Sequence, residues 1–292
     1  MNQQEKKGFM FATLAAFSNA TMALFAKLAV GVNVETIVFF RNFICFTVVL
    51  ILVFSKKDFL KTKRFGLHIF RALCGLLAVY SYYYAIKHLP LVNAIVLANT
   101  SSLFIPLVVF VWLSTKIPMR RVVAVIIGFI GVILILKPDV GRFTEIASLV
   151  GLFGGLCIAT AMVGVRQLTK TDPTEVIIFY FFLIATIVSF FPMAFNWQSV
   201  PLQKWVYILG TGIFGTCFQF FLTRAYKYAP ATKASCLMYL SVVFGGIYGF
   251  FIFDTIPGFW HLIGYMLIIL GGVLALFDPK QPTKMSKKPR NF

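Results

Sequence analysis

Ten apolar runs, each close to the length of one bilayer crossing, occupy most of this 292-residue chain: 8–30, 35–54, 66–88, 91–113, 118–136, 148–168, 174–196, 204–228, 231–253 and 257–277. About 20 such residues carry a helix through the hydrocarbon core. A single run in lipid must also satisfy its backbone polar groups within itself, which only a helix does. The expectation is an all-α polytopic membrane protein of ten transmembrane helices. Composition agrees, with 60% hydrophobic and 12% charged residues, against about 25% charged in soluble domains. That excludes a water-soluble domain, a disordered chain and a disulfide scaffold.

Prolines punctuate the runs. Pro90, Pro118, Pro173, Pro201, Pro230 and Pro257 fall in gaps or near helix starts, where proline is tolerated. Pro106 and Pro192 lie inside runs and predict kinks. Lys6 and Lys7 ahead of the first run resemble a signal peptide, but Ser18, Asn19 and Thr21 interrupt it and nine runs follow, so it reads as a retained first helix.

The chain carries a net charge of +18. Its basic residues sit in short gaps between apolar runs, which fits membrane loops better than a nucleic-acid surface. Counted by alternate gaps, Lys and Arg divide 19 against 5, with Arg41, Arg71 and Arg224 inside runs. The bias places both termini in the cytoplasm, and the basic segment from Lys280 to Arg290 reads as a contact for the inner leaflet.

Laid over itself at an offset of 140 residues, the chain matches its own second half. Ala85, Lys87, Pro90 and Ala94 meet Ala225, Lys227, Pro230 and Ala234; Glu35, Ile37 and Phe39 meet Glu175, Ile177 and Phe179; Gly131 meets Gly271. With five helices per unit, the second unit enters the membrane inverted. Such repeats place a substrate site at their interface near the midplane. The expected units are 1–137 and 138–279, followed by the tail 280–292.

The ordered set of Phe39–Phe43 (FFRNF), His68–Arg71 (HIFR), Tyr82–Leu91 (YYYAIKHLPL), Thr100–Leu107 (TSSLFIPL) and Gly128–Pro138 (GFIGVILILKP) resembles the drug/metabolite transporter superfamily and, within it, the EamA-like ten-helix carriers. The resemblance covers the whole chain and rests on the order of the motifs, none of which is strong alone. It implies alternating-access transport of a small metabolite at the inner membrane, with cavity walls from the third, fourth, eighth and ninth helices. The Arg pair and the Tyr-rich third helix most resemble carriers that take up S-adenosylmethionine, and amino-acid and metabolite exporters share much of that pattern. One departure concerns a glutamate that the family often carries after the fourth and ninth helices. The first half has Leu113-Ser114-Thr115-Lys116 there, while the second keeps an acid at Asp254.

Charged groups within runs are the first functional candidates, because an Arg at a helix centre costs at least about 2.5–3.5 kcal/mol. Arg41 leads, about 9 Å of helical rise into its run. It reads either as a forked anchor for a substrate carboxylate or phosphate, or as a partner of Glu35 or a side chain snorkelling to the outer surface. Arg71 and Arg224 lie nearer helix ends, where they snorkel or line the inner mouth. Asn19, Asn99 and Gln219 are expected to face a cavity; Thr21, Ser101, Ser102 and Thr160 suit hydrogen bonds between helices. Tyr80, Tyr82, Tyr83 and Tyr84 form a cluster in which Tyr80 and Tyr84 share a helix face with Tyr83 beside them; such faces hold cations or planar bases, or serve packing and lipid contact in a chain that is 17% aromatic. Trp197, Trp205 and Trp260 read as interfacial anchors.

All nine acids lie in gaps, tails or helix ends. Proton-driven carriers usually place a titratable group within the membrane, so facilitated transport or exchange is expected. No nucleophile, zinc-helix or phosphate-loop motif is present, which argues against an intramembrane enzyme. A channel would leave the repeat unexplained. Cys45, Cys74, Cys157, Cys217 and Cys236 are dispersed, and His68, His88 and His261 lie apart, so neither metal nor cofactor is expected. The partners expected are the bilayer and a small polar metabolite bearing an anionic group, amino-acid-like in character.

Overall fold

The structure, a computed structural model, describes residues 3–54, 62–113, 119–136, 146–229, 234, 237–256 and 258–276. These are helical throughout apart from short connections. The helices are α1 (Gln3–Leu28), α2 (Val34–Phe54), α3 (Phe65–His88), α4 (Leu91–Asn99), α5 (Ser101–Leu113), α6 (Met119–Leu136), α7 (Ile146–Leu168), α8 (Thr174–Phe195), α9 (Trp205–Tyr228), α10 (Leu240–Phe253) and α11 (Phe259–Leu276). Seven spans among the described residues are long and apolar enough to cross a membrane, with α4 and α5 forming one of them. The basic tail, Cys236 and six of the lysines used for orientation, Lys56, Lys57, Lys61, Lys116, Lys137 and Lys233, lie outside the described residues.

Helix α1 packs along α9 and against α10; α3 packs along α7 and α8; α2 meets α8 and α9; α6 pairs with α11. Small residues permit the closest of these contacts. Gly151 faces Ala85, Gly154 faces Ser81 and Gly164 faces Arg71, so α3 and α7 run antiparallel. Gly8 against Ala229 and Gly210 against Phe25 give α1 and α9 the same relation. The first helix is thus built into the core: Ala12, Ala15, Ala16 and Ala20 are fully buried.

The fourth run is broken. Helix α4 ends at Asn99, Thr100 forms a turn and α5 starts at Ser101. Thr100 Oγ1 donates to the Leu97 carbonyl at 2.6 Å, the same oxygen that its backbone N–H reaches at 3.2 Å. The ninth run breaks likewise at Met238 and Tyr239, where Ser241 Oγ donates to the Met238 carbonyl at 2.6 Å. Asn99 Nδ2 joins the two breaks by donating to Ser241 Oγ at 2.9 Å. Pro106 and Pro192 lie within α5 and α8. The turn at Thr100 precedes Pro106, which cannot donate to Ser102.

Candidate functional site

A cavity of about 80 Å³ lies among the middles of these helices. Asn19 and Met22 reach it from α1, Arg41 from α2, Arg71, Tyr82 and Tyr83 from α3, Asn99, Ser101 and Ser102 from the broken run, Phe181 from α8 and Gln219 from α9. The third, fourth, eighth and ninth runs contribute, and the first, second, sixth and seventh do so as well. Among the described residues, no Asp or Glu lines it.

Each arginine is held by a neutral amide and an aromatic ring. Arg41 Nη1 donates to Asn42 Oδ1 at 2.9 Å, and its guanidinium carbon lies 5.5 Å from the Phe182 ring centroid. Arg71 Nη2 donates to Gln219 Oε1 at 2.9 Å, with its guanidinium 3.6 Å from the Phe181 centroid. The pairing is reciprocal in sequence: the 140-residue offset takes Arg41 to Phe181 and Asn42 to Phe182. Both arginines are 1% exposed, so neither snorkels. Arg41 Nε and Arg71 Nε and Nη1 are buried without a hydrogen-bond partner among the described residues. Gly215 makes the room for Arg41, since a Cβ there would stand 2.8 Å from its Nε.

Of the residues expected at a site, Asn19, Arg41, Arg71, Tyr83, Asn99 and Gln219 line this cavity. Tyr80 and Tyr84 instead line a second cavity of about 440 Å³ at the C-terminal end of α3, with Glu35, Lys87, His88 and Asn196. Glu35 is therefore a neighbour of Tyr80 and not the partner of Arg41. Arg224 lines neither cavity; it stacks on Phe220 at 4.2 Å and lies 3.8 Å from Glu175. Sequence reasoning placed Tyr82 in the tyrosine cluster without assigning it to the site, and missed Phe181 and the interhelical role of Ser241. The offset pairing Ser101 with Ser241 was a usable signal for the last.

Two further contacts mark opposite ends of α3. At its C-terminal end, Lys27 Nζ donates to the carbonyls of Ile86 and Leu89, each at 2.7 Å. About 27 Å of helical rise away, His68 Nε2 lies 3.2 Å from Asp172 Oδ2, which also accepts from Thr62 and Thr171. At that second end Arg166 donates to the Tyr226 carbonyl. The offset takes Ile86 to Tyr226 and Lys27 to the residue after Arg166, so each half ties a basic side chain to a corresponding helix terminus. In the loop after α7, burial and then the charges of Arg166 and Arg64 hold the Lys170 amine below the usual lysine range.

Stacked apolar helices around a small, mostly apolar cavity with a few buried polar side chains define a multi-pass membrane carrier. The family model for the EamA-like transporters matches residues 6–137 and again 145–277. The chain belongs to the EamA-like transporter family, and it is a small-molecule transporter of the inner membrane. It is 30% identical to the pseudopaline exporter of Pseudomonas aeruginosa, covering 91% of this chain and 94% of that one. It is 26% identical to an S-adenosylmethionine uptake transporter of Rickettsia bellii, covering 96% and 95%. The riboflavin transporter of Vibrio cholerae is 25% identical, covering 93% and 91%. A solved crystal structure at 17% identity superposes with a TM-score of 0.70 over 92% of this chain and 96% of the other, a likeness of fold.

Proposed function

We propose that this transporter moves a small polar metabolite bearing an anionic group, held by Arg41 and Arg71, through the central cavity by alternating access, as a facilitator or exchanger. The observation that carries this reading is the pair of buried guanidiniums with no carboxylate beside them among the described residues. Burying an ion costs several kcal/mol unless it is paired, and an anionic substrate supplies the missing partner. Asn19, Asn99 and Gln219 then orient its polar groups. The relatives are named for different compounds and for both uptake and export, so S-adenosylmethionine enters the reading as one member of a test panel.

The architecture proposed is ten spans in two inverted units, 1–137 and 138–279, with both termini cytoplasmic and 280–292 as a basic tail. Two matches of one family model, at 6–137 and 145–277, support the division. Packing supports the symmetry. Exchanging the first five spans for the second five turns the α1–α9 contact into α7–α3, α2–α9 into α8–α3, and α1–α10 into α7 against α4 and α5. The paired breaks at Thr100 and at Met238–Tyr239 suit discontinuous helices that present backbone to a substrate.

The test is counterflow in proteoliposomes with labelled amino acids, S-adenosylmethionine and nucleotides, using the parent and Arg41→Ala. Saturable counterflow of one compound, lost in the variant, is expected. Counterflow unaltered in Arg41→Ala would remove that arginine from the site.

A further inference from the structure

We infer that the substrate head group bound between Arg41 and Arg71 carries two negative charges, as a phosphate monoester or a dicarboxylate does. This rests on the reading of the central cavity as the transport site and sharpens it by charge balance. Both guanidiniums line one cavity and both are 1% exposed. Their partners are neutral: Asn42 Oδ1, Gln219 Oε1 and two aromatic rings. Among the described residues, the Arg224–Glu175 ion pair and the His68–Asp172 contact involve neither arginine.

Amides and ring faces soften the burial of a cation without cancelling its charge. A single negative charge neutralises one guanidinium and leaves the other. A zwitterion fares worse, because its ammonium enters beside two cations with no carboxylate in the wall to receive it. A dianion neutralises both. Its oxygens also supply acceptors for the three guanidinium nitrogens that lack one, Arg41 Nε and Arg71 Nε and Nη1, and planar guanidinium forks suit the oxygens of carboxylates and phosphates. The cavity volume of about 80 Å³ lies far below the roughly 300–1,000 Å³ of whole-ligand pockets. It therefore suits a compact charged head better than an entire metabolite.

The experiment compares anions matched in shape and different in charge on the purified full chain, by protection against thermal unfolding and by inhibition of counterflow. Sulfate against methanesulfonate keeps the sulfur–oxygen head and changes two charges to one; alanine supplies the zwitterion. Phosphate and succinate separate the tetrahedral source from the dicarboxylate source. Sulfate is expected to bind at least about tenfold more tightly than methanesulfonate or alanine, with either phosphate or succinate matching it. Arg41→Gln and Arg71→Gln should each abolish the preference for two charges. Methanesulfonate or alanine binding as tightly as sulfate overturns the dianion and leaves the anion site standing. No protection by any of these anions overturns both. The comparison on the unaltered protein decides the matter even if a glutamine variant fails to fold.

Discussion

Arg71 donates to Gln219 across 2.9 Å, joining two residues 148 apart in the chain and binding α3 to α9 at the cavity wall. The acceptor is an amide, so it orients the guanidinium without neutralising it. Gln219→Glu should reverse that balance: the carboxylate pairs with Arg71, the unfolding temperature rises and anion-driven counterflow is lost. Gln219→Leu should instead cost about 1.5–3 kcal/mol, the value of a hydrogen bond to a charged group. Counterflow together with thermal unfolding separates the two outcomes; a Gln219→Glu protein that transports normally contradicts the role given to Arg71.

Gly215 bears on Arg41 in a different way. A methyl group there meets the middle of a movable side chain, with Met22 Sδ 3.3 Å away. Gly215→Ala should displace the guanidinium and weaken substrate binding several-fold while leaving most of the stability. Gly155→Ala, by contrast, drives its Cβ to 2.9 Å from the Leu97 carbonyl oxygen as well as into Thr100. That backbone collision should cost about 1–3 kcal/mol. Affinity and unfolding temperature, measured on both variants, should move in these opposite proportions.

The Lys27 ammonium ties α1 to the end of α3 through two carbonyls. Lys27→Met keeps the length of the side chain and removes both bonds. Amide hydrogen exchange should accelerate at residues 86–92 and stay unchanged at the opposite end of α3. Uniform acceleration over the whole helix would show that Lys27 supports the fold generally and not that terminus.

His68 and Asp172 form a buried pair, with side chains 0% and 5% exposed, and neither lines the central cavity. Asp172→Asn should lower stability by up to about 1.5–3 kcal/mol, the range for a hydrogen bond to a charged group. Counterflow should not depend on an imposed pH gradient. Strict dependence on one would overturn the facilitator or exchanger reading and make His68 and Asp172 the first groups to test.

The all-helical class and the apolar runs long enough to cross a membrane were legible in the sequence. Run length against bilayer thickness and matched punctuation at a fixed offset are local properties, requiring no knowledge of neighbours. The same local reading picked out Arg41, Asn19, Asn99 and Gln219, because polar groups in apolar runs must find company. It could not say which company. The helices are apolar nearly all round, so periodicity carries little information about rotation, and residues near a span end can turn outward or inward at similar cost. Arg71 was therefore legible as snorkelling or as lining a mouth, until α8 brought Phe181 under it and α9 brought Gln219 beside it. Tyr80 and Tyr84 shared a helix face with each other, as their spacing required, yet the packing of α2, α7 and α8 gave that face to a second cavity. Hydropathy decided what enters the membrane, since it sums over a single segment. Which polar groups meet inside was decided by tertiary contact, since their cost depends on partners supplied by other helices.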